Sequence, residues 1–269
     1  GSGNLTGHSF GNLFIAALIE VLGDVEEAMD ATSKVLRVRG KVIPSSAEKL
    51  RLNAEMTDGR IVEGESQIPH AHGKIKRVFT TPEHPRAIQS AVDAIREADA
   101  IVLGPGSLYT SIMPNLCVPD IVQAVRTSKA PKIYICNVMT QPGETDDYTV
   151  SDHIRAINRQ AGGKVIDFVI ANNGDVDPAV LQRYVAHGSH PVMIDKKEVS
   201  QTGATLVLSD LINKENSATH DTKKLANVLF DLLGKVGSRS AITAAGDYLS
   251  GSLYGLLRQL YRRGGGNED

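Results

Sequence analysis

The stretch from Asp99 to Met113, Asp-Ala-Ile-Val-Leu-Gly-Pro-Gly-Ser-Leu-Tyr-Thr-Ser-Ile-Met, constrains the chain more than any other. Ala100 to Leu103 is a short run with no polar face, the pattern of a strand covered on both sides in a parallel sheet. Gly104 and Gly106 follow at once, and lacking a Cβ they let backbone N–H groups approach an anion closely. Ser107, Thr110 and Ser111, with Tyr109 between them, supply hydroxyls where a helix would begin, and a helix N-terminus carries partial positive charge. The stretch reads as a phosphate cradle, although a strand-to-helix turn built on Gly and Pro accounts for it equally well. It matches neither standard cradle: Tyr109 stands where the dinucleotide fingerprint needs Gly, and the Gly-Lys-Ser/Thr of the nucleotide-triphosphate loop is missing.

From Arg86 onward helical and strand patterns alternate. Ile88, Ala91, Val92 and Ile95 keep helical spacing and lead into the run at Ala100, which is expected to be the central strand. Further strands are expected at Ile133 to Cys136, Val165 to Ala171, Val192 to Ile194 and Thr205 to Leu208. Between the second and third lies a helix from about Tyr148, and a last helix carries Leu225, Val228, Leu229 and Leu232. Strands separated by helices imply right-handed crossovers and a Rossmann-like, doubly wound α/β fold with a mainly parallel sheet, whose ligands bind beyond the carboxyl ends of the strands.

The portion before Arg86 differs. Asn12 to Leu22 is apolar nearly all round, which predicts a helix buried among several elements. Gly23 ends it, and Asp24 with Glu27 caps a second helix over about Val25 to Val35. Leu50, Leu52, Ala54 and Met56 alternate with polar residues, and Asp58-Gly59 offers a turn before Ile61-Val62. With flanking runs at Leu36 to Ile43 and Ile75 to Phe79, this predicts a small antiparallel β excursion over about residues 36–79. The expected organisation is one domain over residues 1–234, then a tail, 235–269, with an amphipathic helix through Leu249, Leu253, Leu256 and Leu260.

Charge and cysteine usage narrow the partners. Lys plus Arg number 29 against 31 for Asp plus Glu, a balance that argues against a nucleic-acid binder working through a basic face. Cys117 and Cys136 have no Cys/His cluster around them and are expected to be reduced, buried thiols of a cytoplasmic protein, with no zinc. No run is long and apolar enough to span a membrane. Whether the chain forms a homo-oligomer stays open.

Four polar clusters fall where ligand loops belong. They are the segment of Gly7, His8, Gly11 and Asn12; the Gly104 to Ser111 loop; the segment of Asn137, Thr140, Gln141, Gly143 and Glu144; and Asn172-Asn173-Gly174. Helix N-termini converging with Ser, Thr and Asn donors suit a phosphorylated, hydroxyl-rich ligand better than a bare cation, while turns and N-caps account for any one cluster by itself. His8 is either a base or phosphate donor or a local hydrogen-bonding residue. Asp146-Asp147 is read as acids complementing a helix dipole, so neither a metal nor a cofactor is expected.

Gly7-His-Ser-Phe-Gly-Asn-Leu13, Arg37-Val-Arg-Gly-Lys-Val-Ile-Pro44, Gly104-Pro-Gly-Ser-Leu-Tyr-Thr-Ser111, Cys136-Asn-Val-Met-Thr-Gln-Pro-Gly-Glu-Thr145 and His220-Asp-Thr222 occur in this order. Together they resemble the gluconeogenesis-factor (YvcK) family, related to the CofD-like 2-phospho-L-lactate transferases, over about Leu5 to Leu233. The resemblance implies a bacterial regulator that binds UDP-sugars such as UDP-N-acetylglucosamine and is needed for cell shape and wall synthesis during gluconeogenic growth. The alternative is a CofD-like transferase acting on a phosphate-linked substrate. Family members open with a strand and a Gly-Gly-Gly-Thr-Gly loop that are absent before Gly1, so part of the nucleotide site is expected to be missing. Thr219 also stands where they tend to have a basic residue.

Overall fold

The computed structural model describes residues 10–35, 40–213 and 218–236. Helices α1 (Phe10–Leu22) and α2 (Val25–Val35) come first, joined by Gly23 at φ 73° and by Asp24, whose Oδ1 accepts the Glu27 N–H at 2.8 Å. The expectation that α1 is buried among several elements fails: its principal partner is α2, and Val21 is 79% exposed. A helix apolar all round needs neighbours on every side, and the described residues supply chiefly one.

Strands β1 (Arg51–Met56), β2 (Ile61–Glu63) and β3 (Ile75–Thr81) form the antiparallel excursion, in the order β2-β1-β3. Leu52, Ala54 and Met56 turn inward, and Gly59 makes the expected turn at φ 88°. The flanking run adds no strand at Lys41 to Ile43, which is bracketed by Gly40 at φ 120° and by Pro44, with no N–H to give a ladder. Leu36 to Arg39, like the tail beyond Val236, lie outside the described residues.

Helix α3 (Gln89–Glu97) leads into β4 (Ile101–Leu103), and α4 (Pro119–Thr127) connects it to β5 (Lys132–Ile135). Helix α5 (Val150–Gln160) leads to β6 (Phe168–Asn172), α6 (Pro178–Ala186) and α7 (Lys196–Thr202) lead to β7 (Thr205–Ser209), and α8 (Thr222–Val236) follows. The four strands pair in parallel in sequence order, β4-β5-β6-β7. Because side chains alternate along a strand, Ile133 and Ile135 of β5 meet Leu225 and Leu232 of α8 on one face. Tyr134 enters the larger core on the other, with Ile121 and Val125 of α4, Ile154 and Ile157 of α5 and Val199 of α7. Helices thus cover both faces, which is the doubly wound arrangement expected.

Two strand expectations need correction. β4 pairs parallel with β5 but stands at the edge of the described sheet, not at its centre, and Val102 is 42% exposed. An uninterrupted apolar run reports that both faces are covered, which holds for an edge strand of a layered fold too, and carries no information about lateral neighbours. Val192 to Ile194 makes only one isolated bridge, Thr149 with Met193, next to another between Met139 and Pro191. Its backbone ties loops together instead: Val192 N–H donates to Val138 O at 3.0 Å, and Val150 N–H to Met193 O at 3.0 Å.

The helix expected from Tyr148 begins at Val150. Thr149 caps it by accepting from Asp152 N–H, while the Asp152 carboxylate accepts the Thr149 N–H at 3.1 Å. Among the described residues no helix is long and apolar enough to cross a membrane.

Candidate functional site

Beyond the carboxyl ends of β4 and β5 lies a cavity of about 730 Å³. Pro105, Gly106 and Ser107 border it from the loop after β4, and Asn137 to Pro142 with Glu144 from the loop after β5. Tyr184, His187 and Ser189 contribute from the end of α6, Ala218, Thr219 and His220 from the segment before α8, and Pro69 from the excursion.

A hydrogen-bonded relay joins the two strand-end loops. Gln141 Nε2 donates to Ser107 Oγ at 2.7 Å, and Asn137 Nδ2 donates to Gln141 Oε1 at 3.1 Å. The Ser107 oxygen is used as an acceptor, which leaves its O–H free for an anion. Asn137 Oδ1 is buried without a hydrogen-bond partner among the described residues, which leaves its desolvation uncompensated by the protein.

Glu144 stands beside this relay, 6% exposed. It accepts the Thr110 hydroxyl at 3.1 Å and the Tyr109 N–H at 3.3 Å. Burial raises its pKa above the usual carboxylate value, and the bonds from Thr110 and Tyr109 oppose that rise. The Tyr109 hydroxyl shares a hydrogen bond of 2.7 Å with Tyr148. A carboxylate of the protein therefore occupies the donors that the sequence offers to phosphate at positions 109 and 110.

The other expected site residues fall into distinct places. Gly106, Ser107, Asn137, Thr140, Gln141 and Glu144 come together around the cavity. Thr140 is also structural there, its Oγ1 accepting the His190 N–H at 2.9 Å and its carbonyl the Ser189 hydroxyl at 2.6 Å. Gly104 and Ser111 border a different groove, of about 460 Å³, along β4. Gly104 takes φ 94°, whereas Gly106 is not at positive φ; a Cβ there would lie 3.2 Å from Ser111 Cβ. Gly143, at φ 79°, supports the excursion: a Cβ on it would fall 1.8 Å from Pro69 O. Asn172 is spent on its own loop, bonding Gly174 through both side-chain atoms and accepting the Leu211 N–H at 2.9 Å. Gly11 and Asn12 lie in the first turn of α1, while Gly7 and His8 are outside the described residues.

Pro69, Tyr184, His187 and His220 also line the cavity, and none of them lies in the four polar clusters of the sequence. His220 had a signal, since it precedes the capping Asp221 at the start of the last helical pattern. The Asp221 carboxylate accepts the Lys223 and Lys224 N–H groups at 2.9 and 3.0 Å. His220 Nε2 lies 3.1 Å from Cys136 O, and burial lowers its pKa while that carbonyl raises it. The Cys136 thiol is pushed up to about 12 by burial.

Fold and cavity together define a Rossmann-like α/β protein with a site at the carboxyl ends of its parallel strands. The family described as 2-phospho-L-lactate transferase CofD matches residues 1–212, and the chain belongs to that family. The gluconeogenesis factor of Bacillus subtilis is 47% identical over 231 residues, which make up 86% of this chain and 73% of that protein. A Nostoc protein is 50% identical over 233 residues, and the chain spans only 51% of its length. The crystal structure of a UPF0052-family protein from Bacillus halodurans superposes with a TM-score of 0.79 at 43% identity, covering 84% of this chain and 73% of that one.

Proposed function

We propose that the chain binds a phosphorylated, hydroxyl-rich ligand of the nucleotide-sugar kind, such as UDP-N-acetylglucosamine, in the cavity beyond β4 and β5. On this reading it is a cytoplasmic regulator, needed for cell shape and wall synthesis during gluconeogenic growth. The observation that carries the reading is the relay from Ser107 through Gln141 to Asn137. It aligns neutral donors and acceptors on one wall, as recognition of phosphate and hydroxyl groups requires. Gly7 and His8 are proposed to complete the site. Membership of the CofD family and likeness to proteins named gluconeogenesis factor support the choice of ligand class and role.

A transferase is the second reading, and Glu144 favours it: a buried carboxyl with a raised pKa beside a phosphate site has the make-up of a general acid or base. Incubation with UDP-N-acetylglucosamine, followed by phosphorus NMR, separates the two. A regulator binds the nucleotide sugar and returns it intact; breakage of its diphosphate or sugar–phosphate bond would overturn the regulator and favour a transferase. Absence of any binding would overturn the ligand assignment.

A further inference from the structure

Among the described residues lining the cavity there is no lysine or arginine, and the groups able to become positive are His187 and His220. His187 is anchored at the rim, its Nδ1 lying 2.7 Å from Arg183 O. His220 is set deeper, on a segment held by backbone bonds from Asn213 N–H to Thr219 O at 2.9 Å and from Asp221 N–H to Leu211 O at 2.7 Å.

The bond from His220 Nε2 to Cys136 O decides what the ring can do. A carbonyl only accepts, so Nε2 carries a hydrogen in both the neutral and the charged ring. Titration is thereby confined to Nδ1, which makes no hydrogen bond to a described residue. Neutral, Nδ1 carries a lone pair that repels a phosphoryl oxygen; protonated, it can donate a charge-assisted bond to one.

The ionisable groups around His220 have other commitments. Glu144, across the cavity, is tied to Thr110 and Tyr109, and Asp221 is turned to the N-terminus of α8. Lys224 donates to Asp210 at 2.7 Å, and the Cys136 thiol stays neutral. Tyr184 and His187 line the same cavity from the end of α6, with His187 Nδ1 already at Arg183 O. Among the described residues none is an ion-pair partner for the imidazolium, so an incoming anion is the group that would stabilise it.

We propose that His220 is a ligand-binding residue that takes up one proton from solvent at Nδ1 as a phosphorylated ligand enters, so that binding is proton-coupled and strengthens as pH falls. The inference rests on the reading that this cavity holds such a ligand. The test is calorimetry of the full chain with UDP-N-acetylglucosamine, whose diphosphate diester keeps its charge across the neutral range, so that any pH dependence belongs to the protein. Titrations in buffers of different ionisation enthalpy, between about pH 6 and pH 8.5, count the protons. The wild type is expected to take up close to one proton at the high-pH end, with Kd rising up to about ten-fold per pH unit. In His220→Gln, whose amide can keep the bond to Cys136 O, uptake falls to near zero and affinity stays at the high-pH level of the wild type. A pH-independent wild type, or uptake persisting in His220→Gln, would overturn the inference while leaving the ligand assignment standing. A wild type that binds at no pH overturns the ligand assignment itself.

Discussion

Gln141 Nε2 donates to Ser107 Oγ across 2.7 Å, and this one bond joins the loop after β4 to the loop after β5 at the mouth of the cavity. Gln141 also holds Asn137, so its side chain sets the orientation of both. Replacement by Met preserves length and removes both bonds. Each is worth about 1 kcal/mol, and a loss of that size in the bound state weakens ligand binding about five-fold. Gln141→Met is therefore expected to raise the Kd for UDP-N-acetylglucosamine several-fold, with thermal melts showing the fold intact; an unchanged Kd would make the relay a packing detail.

The excursion is pinned to the site loop at Gly143. Alanine there would place Cβ 1.8 Å from Pro69 O and would have to hold φ 79°. Gly188 has nearly the same φ, 77°, but a Cβ on it meets only Pro142 Cγ at 3.8 Å. Gly188→Ala is expected to cost about 1 kcal/mol from backbone conformation alone, and Gly143→Ala roughly 3 kcal/mol or more because backbone must move. Urea denaturation of the two variants checks this, and equal losses would show that the excursion yields freely.

Glu144 has a pH signature. Its folded-state pKa is raised, chiefly by burial, so between the ordinary glutamate pKa and that raised value the folded protein holds more protons than the unfolded chain, and stability falls as pH rises through this window. Below the window the term disappears. Glu144→Gln removes the charge and can keep both hydrogen bonds. It is expected to melt at or above the wild type at pH 7, with the difference closing toward pH 4; melting curves at the two pH values decide, and a variant that gains on the wild type as pH falls would contradict the burial argument.

Much of this fold is legible in the residues because packing against a layer imposes periodicity. The runs at Ile133 and Thr205 became β5 and β7, and the alternation at Leu52 to Met56 became β1. Lateral order is not legible in that way, which is why β4 was expected at the centre. The site is legible by loop but not by side chain. Asn137 and Gln141 line the cavity, whereas Asn172, of similar chemistry, turns its amide back on Gly174 and Leu211. Glu144 reaches the Tyr109 N–H from 35 positions away, a contact that no local pattern encodes. His220 arrives through the turn of chain before α8, 84 positions from the carbonyl that fixes its tautomer.

The proposed sharing of one phosphorylated ligand by the loops after β4 and β5 is tested by calorimetric titration of UDP-N-acetylglucosamine into the wild type, Gly106→Ala and Asn137→Ala, each confirmed folded by thermal melt. The wild type is expected to bind and both variants to bind more weakly. Gly106→Ala loses affinity because its Cβ crowds Ser111 at 3.2 Å and narrows the approach, and Asn137→Ala by about five-fold or more through loss of an amide contact. Unchanged affinity in both variants would contradict the shared site and return the two loops to the status of structural turns.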